Sequence, residues 1–232
     1  MQQRESSHSE RNERDADTVE RGEQLKERDD RQTALVRRRY DRLARIYDIT
    51  QWPMERRAHR WRRDLWARVD GENILEVGAG TGANIPYYGE HRQMTVTDIA
   101  PKMLDQARGR ADEEGVDATF EIADVQKLPY PDDHFDAAVA TFVFCSVPDP
   151  VQGLRELRRV VVEGGSVLLL EHVLTEIPVL RLLMRILDPL TVRLWGAHIS
   201  RETVDNVRRA GFSEVSDTDL ALDIVKRIEA RG

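Results

Sequence analysis

The sequence predicts an α/β fold in which helices cover both faces of a largely parallel β-sheet. From Asn73 onward, short apolar runs alternate with helix-length amphipathic segments, a pattern typical of strands joined by right-handed helical crossovers. The first run ends in a glycine-rich turn at 78–82, where a strand in such a sheet commonly meets its ligand. The chain has 232 residues, of which 40% are hydrophobic, so it can bury one sizeable core.

Seven apolar runs of strand length are bounded by glycine, proline or charged residues, as strands usually are. The predicted strands are Asn73–Val77, Gln93–Thr97, Ala118–Ile122, Phe135–Thr141, Ser166–Glu171, Phe212–Thr218 and Asp223–Ala230. The segments between them have helical length and spacing. The predicted helices are Pro101–Glu114, Pro150–Val161, 177–195 and 201–210.

The first 70 residues differ in composition from the rest. Residues 1–32 carry almost no large apolar side chains, so burial cannot offset the entropy cost of ordering them, and we expect a disordered or loosely helical tail. Residues 33–70 contain two stretches of helical apolar spacing, separated by Trp52-Pro53, because the residue before a proline avoids helical torsions. The predicted organisation is a charged tail (1–32), an N-terminal helical segment (33–70) and a sheet domain (71–232).

Composition excludes several classes of protein. The single cysteine, Cys145, rules out an intramolecular disulfide framework and a multi-cysteine zinc site, and we expect no metal. No apolar run reaches the length of a membrane-spanning helix. The N-terminus lacks the apolar region of a secretory signal, so we expect a cytoplasmic location.

Charge is distributed unevenly along the chain. The segment 37–68 holds eleven arginines and four acidic residues, whereas the whole chain has a net charge of −7. Together with Trp52, Trp61 and Trp66, these arginines have the composition of a surface that meets anionic lipid at the membrane periphery. A solvated helix face explains the segment equally well. We do not expect a nucleic-acid partner, because the remaining surface is acidic and no RNA-binding module is evident.

The glycine turn is the strongest chemical signal in the sequence. The apolar strand leads into Gly78, Gly80 and Gly82, and we expect the backbone amides of the turn to face a ligand ahead of a helix. The spacing is GxGxG, whereas the dinucleotide fingerprint requires GxGxxG, whose third glycine would fall at Ala83. The alternative is a plain strand-to-helix turn.

Two acidic residues follow later strands. Asp98 ends the second strand, where a carboxylate can accept hydrogen bonds from both hydroxyls of a ribose. Asp124 follows the third strand, where it can accept from an exocyclic amine while Met103 and Val125 sandwich a flat base. Alternatively, Asp124 forms an Asx turn.

Four motifs in this order carry a family resemblance. They are EVGAGTG, VTDIAPKML, IADVQKLPYPDDHFD and LRELRRVVVEGGSVLLLEH. Over roughly residues 70–172, the chain resembles the class I S-adenosylmethionine-dependent methyltransferases of the type-11 domain group. The resemblance implies a Rossmann-like seven-stranded sheet of order 3-2-1-4-5-7-6 with the last strand antiparallel. It also implies S-adenosylmethionine as cofactor, S-adenosylhomocysteine as product and an N-terminal helical lid over 33–70.

The resemblance also implies which residues contact the cofactor. The methionine part lies over the glycine turn, the ribose on Asp98, the adenine beside Met103, Asp124 and Val125, and the methyl side against Thr141 and Phe142. Tyr40 and Tyr47 are similar to a lid signature of ubiquinone/menaquinone-biosynthesis methyltransferases, although packing on a helix face explains them as well. The full set of expected cofactor residues is Glu76, Gly78, Ala79, Gly80, Thr81, Gly82, Asp98, Ile99, Met103, Asp124, Val125, Thr141, Phe142 and Tyr47.

Shorter matches indicate a branch of this family. FCSV, LEHV, LDPL and HISRET are similar to the thiol methyltransferases (methyltransferase-like 7 proteins) and to bacterial phospholipid N-methyltransferase-like proteins. The quinone enzymes usually begin the glycine motif with aspartate, whereas this chain has Glu76. We therefore expect a small or lipophilic acceptor of the thiol, amine or quinone type.

Three interpretations of the activity follow. We expect in-line methyl transfer governed by positioning and exclusion of water. The alternatives are a quinone C-methyltransferase or phospholipid N-methyltransferase at the membrane surface, and a cofactor-binding protein without turnover. A general base is needed only where the acceptor must lose a proton, and His172 and His198 are the candidates, unless both are structural. Cys145 is expected to be a buried residue that packs as a small apolar side chain and is not a nucleophile.

The apolar segment 177–195, which also carries Arg181, Arg185 and Arg193, has three interpretations. We expect a cap over a hydrophobic acceptor pocket. An interfacial membrane helix and plain core packing are the alternatives.

Overall fold

The computed structural model describes residues 31–42, 44, 57–90 and 92–232. The chain divides into two compact units, Met1–Leu35 and Val36–Gly232. Of the first unit, residues 31–35 are described and are helical. The predictions for residues 1–30, Trp52 and Tyr47 lie outside the described residues, and the following account concerns the second unit.

The second unit alternates strands and helices along the chain. In order it contains α1 (36–42), α2 (57–66), β1 (Asn73–Val77), a 3-10 turn (Ile85–Tyr87), β2 (Gln93–Asp98), α3 (Pro101–Glu114), β3 (Thr119–Ile122), β4 (Phe135–Thr141), α4 (Pro150–Val160), β5 (Val161–His172), α5 (Pro178–Trp195), α6 (Thr203–Arg209), β6 (Glu214–Ala221) and β7 (Val225–Arg231). Every strand predicted from the sequence is present, with boundaries shifted by a few residues.

The strands form one seven-stranded sheet in the order β3-β2-β1-β4-β5-β7-β6. Neighbouring strands from β3 to β5 are parallel, and β7 runs antiparallel to both β5 and β6. The predicted order and the antiparallel last strand are therefore confirmed. Because the strand order reverses between β1 and β4, the carboxyl ends of these two strands flank the crevice where such sheets bind ligands.

Alternate residues of each central strand enter two separate cores. Leu75 and Val77 of β1 pack with residues of α4 and α6 on one face. Ile74, which precedes Leu75, packs with residues of α2 and α3 on the other face. Both faces are thus covered by helices, as predicted, which explains why the central strands are apolar throughout.

Two local features differ from the sequence prediction. The connection from β1 to β2 contains the short 3-10 turn Ile85–Tyr87 where a helix was expected. β5 begins at Val161 and not at Ser166. Its pairing with β4 is irregular there, because the register shifts between the pairs Phe135–Val161 and Ala137–Ser166. A Cβ on Gly165 would lie 2.5 Å from the carbonyl oxygen of Asp136, so glycine is required for this close approach to β4.

The two halves of the predicted N-terminal helical segment have different surroundings. In α2, Leu65 and Trp66 are buried in the core, and the Trp66 ring lies 4.8 Å from that of Tyr88. The Trp66 side chain is therefore not available to a lipid surface. In contrast, Tyr40 and Ala44 pack on the first turn of α3, beside Met103.

Candidate active site

The glycine turn lies at the carboxyl end of β1. Gly78, Gly80 and Gly82 all have positive φ angles, and a Cβ on Gly80 would meet nothing within 4 Å. A Cβ on Gly78 would lie 2.5 Å from the side chain of Val143, in the loop after β4. The turn is therefore closed toward β4 and open above Gly80, which lets a ligand approach its backbone.

Three backbone amides of this turn are already bonded within the protein. The Ala79 N–H donates to the Thr97 carbonyl and the Gly82 N–H to the Ala79 carbonyl, both at 3.0 Å. The Gly80 N–H donates to Oδ2 of Asp98 at 2.9 Å. The structure thus corrects the expectation that these three amides face the ligand. The described residues between the turn and β2 form no α-helix. The turn therefore offers a pyrophosphate neither these three amides nor the N-terminus of a helix, the two features by which dinucleotide-binding loops hold it.

Asp98 ends β2 beside the turn, as predicted. Its Oδ2 accepts from Gly80, and its Oδ1 accepts from the Ala100 N–H at 2.8 Å. Burial raises the pKa of this carboxyl, against the lowering effect of the N–H groups of Ala100, Gly80 and Ile99. Each oxygen keeps a second lone pair for a ligand hydroxyl, so Asp98 fits a vicinal diol such as ribose.

α1 covers this region and joins it to α5. Oδ1 of Asp41 accepts from the Lys102 N–H at 3.1 Å, and Met103 is 1% exposed beneath Tyr40. At the other end, the Arg39 guanidinium donates to the Val192 carbonyl at 2.9 Å. α1 therefore bridges the beginning of α3 and the end of α5 across the carboxyl edge of the sheet.

Asp124 and Val125 lie after β3, and Ile99 follows Asp98. Oδ1 of Asp124 accepts from the Gln126 N–H at 2.9 Å, which is the Asx turn weighed in the sequence. Val125 packs in the core near α4, whereas Met103 belongs to the cluster beneath Tyr40. The two apolar side chains expected to sandwich the base thus lie in different clusters. Ile99 is half-buried.

A buried polar network connects β1, β4 and α2 beneath the turn. Oε1 of Glu76 accepts from Asn84 at 2.6 Å, and Oε2 accepts from the Tyr88 hydroxyl. The Arg62 guanidinium donates to Oδ1 of Asn84 at 2.9 Å and to the Thr141 hydroxyl at 2.5 Å. Arg62 therefore links the loop after β1 to the end of β4.

Ionisation of this network depends on Glu76. Burial raises the pKa of Glu76 to about 7, although the Asn84 hydrogen bond and the Arg62 charge lower it. Glu76 and Thr141 were predicted from the sequence, whereas Asn84, Tyr88 and Arg62 were not. For Arg62 a signal existed: it shares a helix face with Ala58, Leu65 and Trp66, where a lone arginine requires a buried partner.

Phe142 marks the expected methyl side of the site. Its φ angle is +59°, a strained conformation for an aromatic residue that is typical of functional sites. Its ring lies 5.4 Å from the Arg62 guanidinium carbon and 4.6 Å from the His172 ring. Burial lowers the pKa of His172, so its imidazole stays neutral near pH 7. Among the described residues the imidazole of His172 has no hydrogen-bond partner.

The loop after Phe142 is held by a second buried carboxyl. Oε1 of Glu171 accepts from the N–H groups of Val143 and Phe144 at 2.8 and 3.0 Å. Burial raises the pKa of Glu171 to about 8, against these donors and the charge of Arg201. Oε2 of Glu171 is buried without a partner among the described residues. Glu171 thus fixes the backbone that positions Phe142.

His198 lies at the same edge with a carboxylate partner. The backbone N–H of His198 donates to the Cys145 carbonyl in the loop after β4 at 2.9 Å. Nδ1 of its ring lies 2.7 Å from Oδ2 of Asp188 on α5. Oδ1 of Asp188 accepts from the N–H groups of Ile199 and Ser200. Burial acts to raise the pKa of Asp188, but the His198 and Ser200 hydrogen bonds hold it below its ordinary value.

Cys145 is buried, and its thiol lies 3.4 Å from the Phe142 carbonyl. Burial raises the pKa of this thiol, as does the nearby Glu171. A buried thiol of raised pKa is a poor nucleophile, which agrees with the expected filler role. Within the described ranges, no group of three or more His, Cys, Asp or Glu side chains is arranged to hold a metal ion.

A separate groove lies at the opposite edge of the sheet, where β4 and β5 begin. Asp132, Arg155, Arg158 and Arg159 line it. Arg159 is paired with Asp132 and Glu156, each at 2.8 Å. Since the glycine turn and Asp98 lie at the carboxyl edge, this groove is not part of the candidate active site.

The sheet order, the open glycine turn and the carboxylate at the tip of β2 define a Rossmann-like S-adenosylmethionine-dependent methyltransferase. A family model described as "Methyltransferase domain" matches residues 75–169. The chain belongs to this methyltransferase family, whose members use S-adenosylmethionine as methyl donor.

Curated relatives have different named activities. The chain is 34% identical over 139 residues to a phosphatidylethanolamine N-methyltransferase of Cereibacter sphaeroides, covering 59% of this chain and 68% of the relative. It is 34% identical over 152 residues to the ubiquinone/menaquinone biosynthesis C-methyltransferase UbiE of Bdellovibrio bacteriovorus, covering 62% and 65%. It is 33% identical over 182 residues to a demethylmenaquinone methyltransferase of Clavibacter sepedonicus, covering 68% and 73%.

Solved structures show the same fold. An S-adenosylmethionine-dependent methyltransferase of Thermotoga maritima superposes with a TM-score of 0.64 at 19% identity, covering 84% of this chain and 98% of that chain. A Haloferax volcanii methyltransferase, solved in complex with the Trm112 methyltransferase activator, gives a TM-score of 0.66 at 18% identity, covering 84% and 96%.

Asp98→Ala tests the ribose assignment. We expect the affinity for S-adenosylhomocysteine to fall by about 1–3 kcal/mol, the scale of losing hydrogen bonds to a charged group. Isothermal titration measures this change. Asp112→Ala, which removes an exposed carboxylate of α3, is the control and should bind as the wild type does. Unchanged affinity in Asp98→Ala would refute the assignment.

Arg62→Met tests the buried network. Because the pKa of Glu76 is raised from 4.5 to about 7, the folded state binds this proton more tightly, and stability falls as pH rises through that interval. Without Arg62, ionised Glu76 loses its cation. We expect Arg62→Met to lower the free energy of unfolding by about 3 kcal/mol at pH 8. The decrease should be smaller at pH 5, where Glu76 is protonated.

The matched control is Arg63→Met, since Arg63 is the exposed neighbour and is ion-paired with Asp64 at 3.7 Å. Exposed ion pairs of this kind contribute about 0–1 kcal/mol to the free energy of unfolding. Urea unfolding at both pH values measures all three proteins. An equal loss in the two variants, or a loss in Arg62→Met that does not grow with pH, would contradict the role given to the network.

Proposed function

We propose that this protein methylates a lipophilic acceptor whose transferable proton is taken by His198, with Asp188 as the positioning residue. The observation that carries this proposal is the 2.7 Å contact between Nδ1 of His198 and Oδ2 of Asp188. The contact lies at the sheet edge that also holds the glycine turn. A paired imidazole at a ligand-binding edge is suited to general base catalysis.

The residues around the turn fit S-adenosylmethionine. Gly80 offers an open backbone surface, Asp98 offers free acceptor capacity to the ribose hydroxyls, and Phe142 offers an aromatic wall to the methyl side. Asp124 remains the candidate for the adenine, whereas Met103 is 1% exposed and covered by Tyr40. When bound, the cofactor supplies a methyl group already activated by a sulfonium sulfur.

The Asp188 carboxylate fixes the chemistry available to His198. With Nδ1–H donating to Asp188, the lone pair of the imidazole is on Nε2, which can accept a proton. A thiol, a phenol-type hydroxyl or an ammonium group would give its proton to Nε2 and keep the electron pair that forms the new bond. Asp188 itself keeps its charge, since hydrogen bonds hold its pKa low, and it stabilises the imidazolium that results.

His172 has a different role in this proposal. Its ring packs on Phe142, and no described residue orients either of its ring nitrogens. We therefore assign it to the wall of the site, where Phe142 and His172 exclude water from the methyl side. Excluding water favours transfer to the acceptor over hydrolysis.

The lipophilic nature of the acceptor is supported by α5. Of its apolar side chains, Met184 is buried while Val179, Leu182 and Ile186 are exposed, which does not fit plain core packing. Relatives named as phosphatidylethanolamine and quinone methyltransferases point to acceptors of the same physical class. We rank an amphiphilic amine, thiol or quinol above a water-soluble metabolite.

A set of three variants tests the two histidines. His198→Ala should lower kcat by about a hundredfold or more without changing the affinity for S-adenosylhomocysteine, and added imidazole should restore part of the rate. Asp188→Asn should lower kcat with an unchanged melting temperature. His172→Gln should lower kcat less than His198→Ala does. Turnover is measured as S-adenosylhomocysteine release with a thiol, a demethylated quinol and phosphatidylethanolamine.

Full turnover in His198→Ala would reject the base assignment. A wild-type protein that binds S-adenosylhomocysteine yet methylates none of the three acceptors would favour the alternative of a cofactor-binding protein without turnover.

A further inference from the structure

We propose that the outer face of α5 binds an anionic lipid surface. This helix exposes more large apolar side chains than any other described segment. Val179 is 73% exposed, Ile186 is 63% exposed and Leu182 is 60% exposed. Leu183, Leu187 and Leu190 are each about half exposed. Contiguous exposed apolar surface of this kind marks an interaction site.

Helical geometry places these side chains together. Positions 179, 182, 183, 186, 187 and 190 are separated by one, three or four residues, so they form one stripe along the helix. The opposite side faces the protein: Met184 is buried, and Asp188 holds His198. α5 therefore has an inner face fixed by the site and an outer apolar face without a partner among the described residues.

Arginines surround one end of the apolar stripe. Arg193 is exposed in the last turn of α5. The neighbouring α1, which Arg39 ties to the Val192 carbonyl, exposes Arg37, Arg38 and Arg42. Nearer the start of α5, Arg181 and Arg185 are paired with Glu202 at 2.9 and 3.4 Å. The net positive charge is thus concentrated where α1 meets α5.

This combination fits a lipid headgroup layer. An apolar helix face enters the boundary between headgroups and acyl chains, and arginines beside it reach the phosphates. A second copy of this chain is the other candidate occupant, and the oligomeric state distinguishes it from lipid. No helix in the described part of the chain is long and apolar enough to span a membrane, so the contact would be peripheral.

Lipid binding through α5 goes beyond methyl transfer, because it needs neither cofactor nor turnover. Since the inner face of α5 carries Asp188, a membrane-bound α5 would lie between the lipid and the His198 edge of the sheet.

Vesicle co-sedimentation of the full chain tests this proposal. Vesicles of phosphatidylcholine with phosphatidylglycerol are compared with vesicles of phosphatidylcholine alone, and we expect binding about tenfold or more stronger to the anionic vesicles. The double variant Leu182→Ser/Ile186→Ser should reduce that binding about tenfold or more, because it removes two inserted apolar side chains. Arg37→Gln/Arg38→Gln should reduce binding to the anionic vesicles alone.

Matched controls lie elsewhere on the molecule. Ile122→Ser changes an isoleucine that is 55% exposed at the end of β3. Arg208→Gln/Arg209→Gln changes an adjacent, exposed pair at the end of α6. Both controls should bind vesicles as the wild type does, and circular dichroism should show every variant folded.

Sedimentation velocity on the same proteins distinguishes lipid binding by α5 from dimerisation through α5. A wild-type monomer that binds anionic vesicles through α5 supports the proposal. A dimer that Leu182→Ser/Ile186→Ser dissociates, with no vesicle binding by the wild type, would show that a second copy covers α5 and would overturn it. Vesicle binding that the α5 variant leaves unchanged would overturn it as well.

Discussion

The architecture of the site depends on the buried carboxyl of Glu76. In this chain the connection after β1 contains a 3-10 turn and no α-helix, so no helical ladder holds the glycine turn in place. Glu76 takes over this role by accepting from Asn84 and Tyr88, which lie on either side of that 3-10 turn. The open surface at Gly80 and the contact between Gly80 and Asp98 both follow from this anchor.

The same network reaches the opposite wall of the crevice. Arg62 joins Asn84 to Thr141 at the end of β4, and its guanidinium lies over the Phe142 ring. Burying these charges is unfavourable, and the network contributes little net stability compared with an apolar core. What it provides is a fixed distance between the glycine turn and the strained Phe142. We infer that the site tolerates buried charge and a positive φ angle because positioning dominates its chemistry.

Sequence patterns predicted the sheet well because its signals are local. Apolar runs such as Phe135–Thr141 and the glycine motif are each contained in a few residues. The missing parts depend on contacts between distant positions: Arg62 and Thr141 are 79 residues apart, and Arg39 and Val192 are 153 apart. The amides of the turn were expected to face a ligand because the sequence does not reveal that Asp98 accepts one of them. The pairing of Asp188 with His198 was missed for the same reason, although both motifs had been singled out.

The central claim is that the glycine turn, in which the amides of Ala79, Gly80 and Gly82 are bonded within the protein, holds S-adenosylmethionine and not a dinucleotide. Isothermal titration of the full chain with S-adenosylhomocysteine, and separately with NADH, tests it most directly. We predict saturable binding of S-adenosylhomocysteine and no binding of NADH. Binding of NADH, or of neither compound, would contradict the account.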